Sequence, residues 1–231
     1  MNVSVVIPAY NEEKYLPKTL ESIQKLDRKP EEVLVIDGGS TDKTCEVARE
    51  YGARCVTVAH RGIGYARQQG VENASGDIIA FTDADTIVPS DWLTKIVESL
   101  EVPGVAGVYS LYYVTKSWFP YWFYINYIQP PLAYILHYCS AYMAPGQNTA
   151  FWKAKALEAG GYPTDFKIAE DLEMAKRLSK VGKLILRSDN FVVSSGRRGD
   201  EGPPMLIRIF KAFFLYYITK RADKIGFPDI R

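Results

Sequence analysis

Histidine is nearly absent from this chain, cysteine is scarce, and neither sign of charge prevails. The two histidines, His60 and His137, have no partner at metal-ligand spacing, so structural roles are expected for both. Cys45, Cys55 and Cys139 also lack zinc-site spacing. Their odd number, with no secretory leader pattern ahead of them, predicts buried reduced thiols and a cytoplasmic location. Lys and Arg number 28 against 27 Asp and Glu, for a net charge of +1, which argues against nucleic acid as a partner. A long unbroken apolar run is missing too, and a bilayer span takes about 20 such residues. Residues 117–152 contain no Asp, Glu, Lys or Arg, but Pro120, Asn126, Gln129, Pro130 and Pro131 interrupt them. Residues 205–218, apolar except for Arg208 and Lys211 and followed by Lys220 and Arg221, are too short to cross.

What the chain does have is alternation. VSVVI and EEVLVI are strand-like, and the amphipathic residues 14–26 return the chain between them, which makes one βαβ unit. ARCVTVA, a helical stretch over 64–73, DIIAFTDAD and a helix opened by Pro89-Ser90-Asp91 repeat the pattern. The expected fold class is α/β: a Rossmann-like, mostly parallel sheet with helices on both faces. At 231 residues the chain reads as one domain with a less regular second half.

Acidic residues cluster where strands end: Asp37 in VLVIDGGSTDKT, Asp83 and Asp85 in IIAFTDADT, and Glu170-Asp171 in KIAEDLEMAKRL. Carboxylates at the mouth of a sheet cost stability unless a cation or a donor-rich ligand meets them. Alternate acids in a turn after a strand suit a hard cation such as Mg²⁺ or Mn²⁺, which keeps waters and shares substrate phosphates. Taken alone, Asp83-Ala84-Asp85 is equally well a solvated acidic turn.

Four motifs in order tip that balance. PAYNEE, IDGGSTDKT, GYARQQGVENASGDIIAFTDADT and AEDLEMAKRLSKVG resemble family-2 inverting glycosyltransferases of the GT-A fold, over roughly residues 1–198. The resemblance implies a nucleotide pocket framed by Pro8, Tyr10 and Glu12, with Asp37 on the base. It gives Asp83 to ribose or a metal-bound water and Asp85 to the divalent cation that bridges the donor diphosphate. Arg67 would pair with nearby carboxylates or the pyrophosphate, although Gln68 stands where the family usually has Asn. Asp171 would be the general base, beside Glu170. Residues 1–100 would bind the nucleotide sugar, 101–202 would form the acceptor side, and 203–231 would carry a terminal amphipathic helix.

The remaining candidates are weaker as sequence. Arg197 and Arg198, between Gly196 and Gly199, are suited to fold over a diphosphate and neutralise its developing charge, or else form an exposed basic loop. Gln147 and Asn148 are placed to bond acceptor hydroxyls, or equally to satisfy a turn. Glu173 is expected to pair along its helix with Lys176 or Arg177. The aromatic residues of 117–152 and the 205–218 stretch are expected to cover an apolar surface: internal packing, a homodimer, or the membrane surface beside a sugar or lipid-linked acceptor. Gly62-Ile63-Gly64-Tyr65-Ala66-Arg67 falls short of a dinucleotide fingerprint, because Arg67 stands where the third glycine belongs. The Gln-x-x-Arg-Trp signature of processive synthases is absent, which favours a single transfer. A nucleotidyltransferase and a silent sugar-nucleotide-binding module are the competing readings. The first lacks its basic glycine-rich loop here, and the second sits badly with intact Asp85 and Asp171.

Overall fold

The structure, a computed structural model, describes residues 1–59, 62–166 and 168–219. His60, Lys220 and Arg221 therefore lie outside the described residues.

Strand β1 (Val3–Ala9), apolar except for Ser4, is buried throughout, as a strand between two helical layers must be. Its Val3, Val5 and Ile7 pack into one core and Val6 into the other. Helix α1 (Leu16–Gln24) has Pro17 in its first turn and buries Leu16, Leu20 and Ile23 at helical spacing. It leads to β2 (Glu32–Asp37), which pairs parallel with β1. Helix α2 (Thr44–Glu50) and β3 (Arg54–Thr57) extend the sheet to one edge. Helix α3 (Ile63–Asn73) crosses to β4 (Ile78–Phe81) on the other side of β1. Two-residue β5 (Thr86–Ile87) and α4 (Trp92–Leu100) follow.

The chain then adds β6 (Val105–Tyr109), β7 (Tyr112–Val114), α5 (Phe119–Phe123), a π-helical turn over Tyr124–Ile128 and α6 (Gln129–Tyr138). Next come β8 (Thr149–Trp152), α7 (Lys153–Glu158), α8 (Glu170–Leu178), β9 (Lys183–Leu186), β10 (Val192–Ser194) and α9 (Pro203–Thr219). The seven-stranded sheet runs β3-β2-β1-β4-β8-β6-β9, and β8 is antiparallel to both of its neighbours. A three-stranded sheet, β5-β10-β7, stands beside it. Helices α1 and α4 cover one face with Leu20, Ile23, Trp92 and Ile96, while α3, α7 and α8 cover the other with Val71, Ala156 and Met174. The α/β, mostly parallel sheet with helices on both faces is as expected from the alternation. Chain order reverses between β1 and β4, so the crevice at their carboxyl ends is where such sheets bind ligands.

The cysteine expectation fails. Cys45 in α2 and Cys55 in β3 form a disulfide across a sequence separation of 10, with Cα atoms 5.6 Å apart, and Cys139 is free and exposed. The turn between α2 and β3 brings the pair together, which residue spacing alone does not reveal. The cytoplasmic location drawn from reduced thiols loses that premise. Among the described residues, no helix is long and apolar enough to cross a membrane.

Candidate active site

The crevice is a cavity of about 700 Å³. The loops after β1 and β2 are tied to each other at its rim. Asn11, left-handed at φ 54°, donates its N–H to Ser40 Oγ at 2.8 Å and accepts from Thr41 N–H at 2.9 Å. Glu12 N–H donates to Thr44 Oγ1 at 2.8 Å. This pairing fixes Pro8, Tyr10 and Gly38 on the cavity wall. Asp37 is 3% exposed, and its carboxylate accepts from the backbone and hydroxyl of Ser40, so it braces the turn that presents Gly38.

The Asp83–Asp85 turn is held from two sides. Thr19 Oγ1 donates to Ala84 O at 2.8 Å and accepts from Thr86 N–H at 3.1 Å. Ser195 N–H donates to Asp85 O at 3.0 Å, and Thr86 Oγ1 meets Ser194 Oγ at 2.7 Å. Both aspartates line the cavity. Burial raises the Asp85 pKa, and the Arg197 charge works against that rise.

Arg67 lies behind them, its side chain 4% exposed, with Nη2 3.2 Å from Asp83 Oδ1 and Nη1 bonded to Glu170. Burial opposes its charge, but Glu170 and Asp83 more than offset that and hold it above the ordinary arginine range. Removing a partner from such a buried pair typically costs about 3–5 kcal/mol, so the guanidinium knits α3, the β4 turn and α8 into one unit. A Cβ at Gly146 would fall 2.1 Å from the Arg67 guanidinium, so only glycine leaves room for it. The third position of the glycine-like run thus holds a structural cation.

Helix α8 opens on Ala169, a left-handed residue at φ 62°, which turns Glu170 and Asp171 toward the cavity. Asp171 Oδ2 accepts from Gly146 N–H at 3.1 Å and Oδ1 from Leu172 N–H at 2.8 Å. Burial raises its pKa, with Arg67 opposing; Glu170 is pushed up to about 7, chiefly by burial. Glu173 pairs with Arg177 at 2.9 Å, the helical pairing expected of it.

The basic loop is ordered against this acidic wall. Arg197 contacts Glu12 at 2.5 Å and Asp85 at 3.1 Å, and its guanidinium lies 4.4 Å from the Tyr15 ring centroid. Glu12, 2% exposed, sits beneath Arg197. Arg198 also lines the cavity. Ser117 Oγ donates to Gly196 O at 2.6 Å, and a Cβ at Gly199 would fall 2.1 Å from the Tyr121 ring, so glycine lets the loop lie flat on residues 115–121.

The two amides expected on the acceptor side part company. Gln147 lines the cavity. Asn148, 2% exposed, spends its amide on Leu111 O, Asn190 O and Trp92 Nε1–H, so it belongs to the turn and not to an acceptor. Sequence patterns pointed neither to Tyr15, the platform under Arg197, nor to Thr19, the brace of the acidic turn. Nor did they reveal that α9 faces the cavity with Met205, Ile209, Ala212 and Phe213.

Among the described residues no group of three or more His, Cys, Asp or Glu is placed to hold a metal. Asp85 with Asp83 nonetheless fits Mg²⁺ or Mn²⁺, which takes one or two carboxylates and fills its shell with water and phosphate oxygens. The position beside Asp85 already attracts a cation, the Arg197 guanidinium.

Residues 4–167 match the glycosyl transferase family 2 pattern. The chain is 36% identical over 127 residues to a 4,4'-diaponeurosporenoate glycosyltransferase of Staphylococcus aureus, covering 51% of this chain and 34% of that protein. It spans about a third of the length of the curated relatives it matches. In structure it is similar to a Pyrobaculum calidifontis mannosyltransferase in complex with GDP-Man and Mn²⁺, with a TM-score of 0.70 and 24% identity over 98% of this chain and 66% of that one. It is also similar to Mycobacterium tuberculosis glucosyl-3-phosphoglycerate synthase in complex with Mn²⁺, UDP and glucosyl-3-phosphoglycerate, with a TM-score of 0.67 and 24% identity over 93% and 78% of the two chains. At such identities the structural likeness speaks for the fold alone. With its motifs, its fold and the matched residues in agreement, the chain belongs to glycosyl transferase family 2.

Proposed function

We propose that this chain transfers a sugar from a nucleoside diphosphate donor to an acceptor, with inversion at the anomeric carbon and with Mg²⁺ or Mn²⁺ on Asp85 and Asp83. The observation that carries the reading is a shared cavity: Asp85, Arg197, Arg198 and the partly buried carboxylate of Asp171 all line it. When bound, the cation neutralises diphosphate charge and orients the donor. Pro8, Tyr10 and Gly38 form the nucleotide wall, with Asp37 bracing the base end. Uracil is preferred to guanine on family frequency alone. Arg197 and Arg198 close over the diphosphate and stabilise its charge as it leaves. Asp171 accepts the proton of the acceptor hydroxyl while the oxygen attacks the anomeric carbon and the electron pair of the breaking bond goes to the diphosphate. Burial raises its proton affinity toward the working range of a general base. Glu170 and Arg67 keep that base in register, and Gln147 borders the acceptor.

The acceptor is a sugar or a lipid-linked group. The outward face of α9, with Ile207, Phe210, Phe214 and Ile218 more than half or nearly so exposed, meets the aromatic segment through a Tyr124–Phe210 ring contact at 5.0 Å. That apolar face supports peripheral contact with a membrane, and its rival is a homodimer. Flotation with anionic liposomes separates the two. Co-flotation lost in Phe210→Asp and Phe214→Asp supports the membrane, whereas a concentration-dependent dimer that never floats supports the pair.

The transfer itself is tested by nuclear magnetic resonance of the product. Opposite anomeric configurations in donor and product, with turnover collapsing in Asp171→Asn, are expected. Retention would contradict the inverting role of Asp171. An acceptor phosphate, already ionised above its second pKa of about 6, would blunt the Asp171→Asn effect.

A further inference from the structure

An unusual turn leads into the cavity wall at Gln129. Between α5 and α6 the helix widens into the π-helical turn Tyr124–Ile128. One extra residue in a turn shifts the phase of the following helix by roughly 100°, and such insertions concentrate at functional sites. The turn is pinned: Asn126 Oδ1 accepts from Val114 N–H at 2.9 Å and its Nδ2 donates to Val114 O at 3.2 Å, so its amide pairs with β7 as a neighbouring strand would. The first residue after the turn is Gln129.

Gln129 is 8% exposed and lines the cavity. The Tyr112 phenol lies beside its side chain, and Tyr112 packs with Tyr121 near Arg198. Gln129 Oε1 is buried with no hydrogen-bond partner. A buried amide oxygen left unsatisfied is destabilising, and a donor arriving with a ligand relieves it. Amide oxygens accept hydrogen bonds and repel phosphate oxygens, so the complementary group is a donor, which on a sugar is a hydroxyl. Beside the Tyr112, Tyr121 and Tyr124 cluster, on which Met205 and Ile209 pack, the cavity wall turns apolar where α9 contributes Met205, Ile209 and Phe213.

We infer that Gln129, set in place by the π-helical turn, is a specificity-determining residue that receives a hydroxyl of an amphiphilic acceptor whose apolar portion lies along the inner face of α9. This rests on the transferase reading above and deepens it by naming the acceptor class: a hydroxylated head on an apolar chain.

The test is a binding titration that needs no turnover. n-Octyl β-D-glucopyranoside, kept below its critical micelle concentration, is titrated by saturation-transfer difference resonance against the full chain, with glucose and monooctyl phosphate as contrasts. Saturable binding of the octyl glucoside, tighter than either contrast, is expected. Gln129→Met should weaken it about five-fold, the scale of one lost hydrogen bond, while binding of UDP with Mn²⁺ stays unchanged. Ile209→Gln should weaken the octyl glucoside and leave glucose unaffected, which keeps the proposal testable where the first variant loses its fold. No saturable binding to the wild type, tighter binding of monooctyl phosphate, or an unaltered titration in folded Gln129→Met overturns it. Failure of the transferase reading would show separately, as absent binding of both UDP and GDP with Mn²⁺.

Discussion

Arg197 Nε lies 3.1 Å from Asp85 Oδ2, so the loop cation pairs with the aspartate proposed to hold the divalent ion. On that proposal a donor diphosphate would offer Arg197 a new anionic partner.

That exchange makes the two loop arginines matter more to the chemical step than to donor binding. Arg197→Ala and Arg198→Ala are each expected to cut turnover about 10²-fold or more, the scale of removing one charge-stabilising donor, with the donor KM moved only a few-fold. Steady-state kinetics with varied donor decides it. Unchanged turnover in both variants contradicts the role.

Glu170 sets a pH dependence of stability. Its carboxyl is pushed up to about 7 in the folded chain, chiefly by burial, from an ordinary value of 4.5. The folded state therefore binds more protons than the unfolded state between those values, and stability falls as pH rises through that window. Tm measured from pH about 4.5 to 7 should decline, and Glu170→Gln should flatten the slope. Equal slopes in the two proteins would contradict the assignment.

Much of this was legible from local pattern. Apolar runs ending in turn residues marked β1, β2 and β4, and the acids at their ends sit where strand geometry delivers them. Arg67 was expected to pair with carboxylates, and it binds Asp83 and Glu170. What sequence concealed depends on long-range closure. The antiparallel strand β8, inserted between β4 and β6, follows the GQN turn and carries no signal of its direction. Asn148 looked like a free amide until the fold brought Leu111, Asn190 and Trp92 around it. Residues 205–218 left internal packing, a homodimer and the membrane surface open, and α9 has two apolar faces, one of them turned to the cavity.

The disulfide was hidden for the same reason, and it has a measurable consequence. Closing a loop of sequence separation 10 restricts the unfolded chain by about 3 kcal/mol in the loop-entropy account. Excess reductant, or Cys45→Ser with Cys55→Ser, should lower the urea midpoint, with a slope that rises as the released unfolded chain exposes more surface. A midpoint indifferent to reductant would contradict a disulfide in the folded chain.

The most direct test of the central claim is release of nucleoside diphosphate from a panel of UDP- and GDP-sugars with Mn²⁺, in wild type and Asp85→Ala, with and without lipid extract as acceptor source. The account predicts metal-dependent release by the wild type and at least about 10²-fold less by Asp85→Ala, the loss expected when charge stabilisation of the leaving diphosphate is removed. Equal release by the two proteins, or donor binding with no release from any sugar nucleotide, would contradict it.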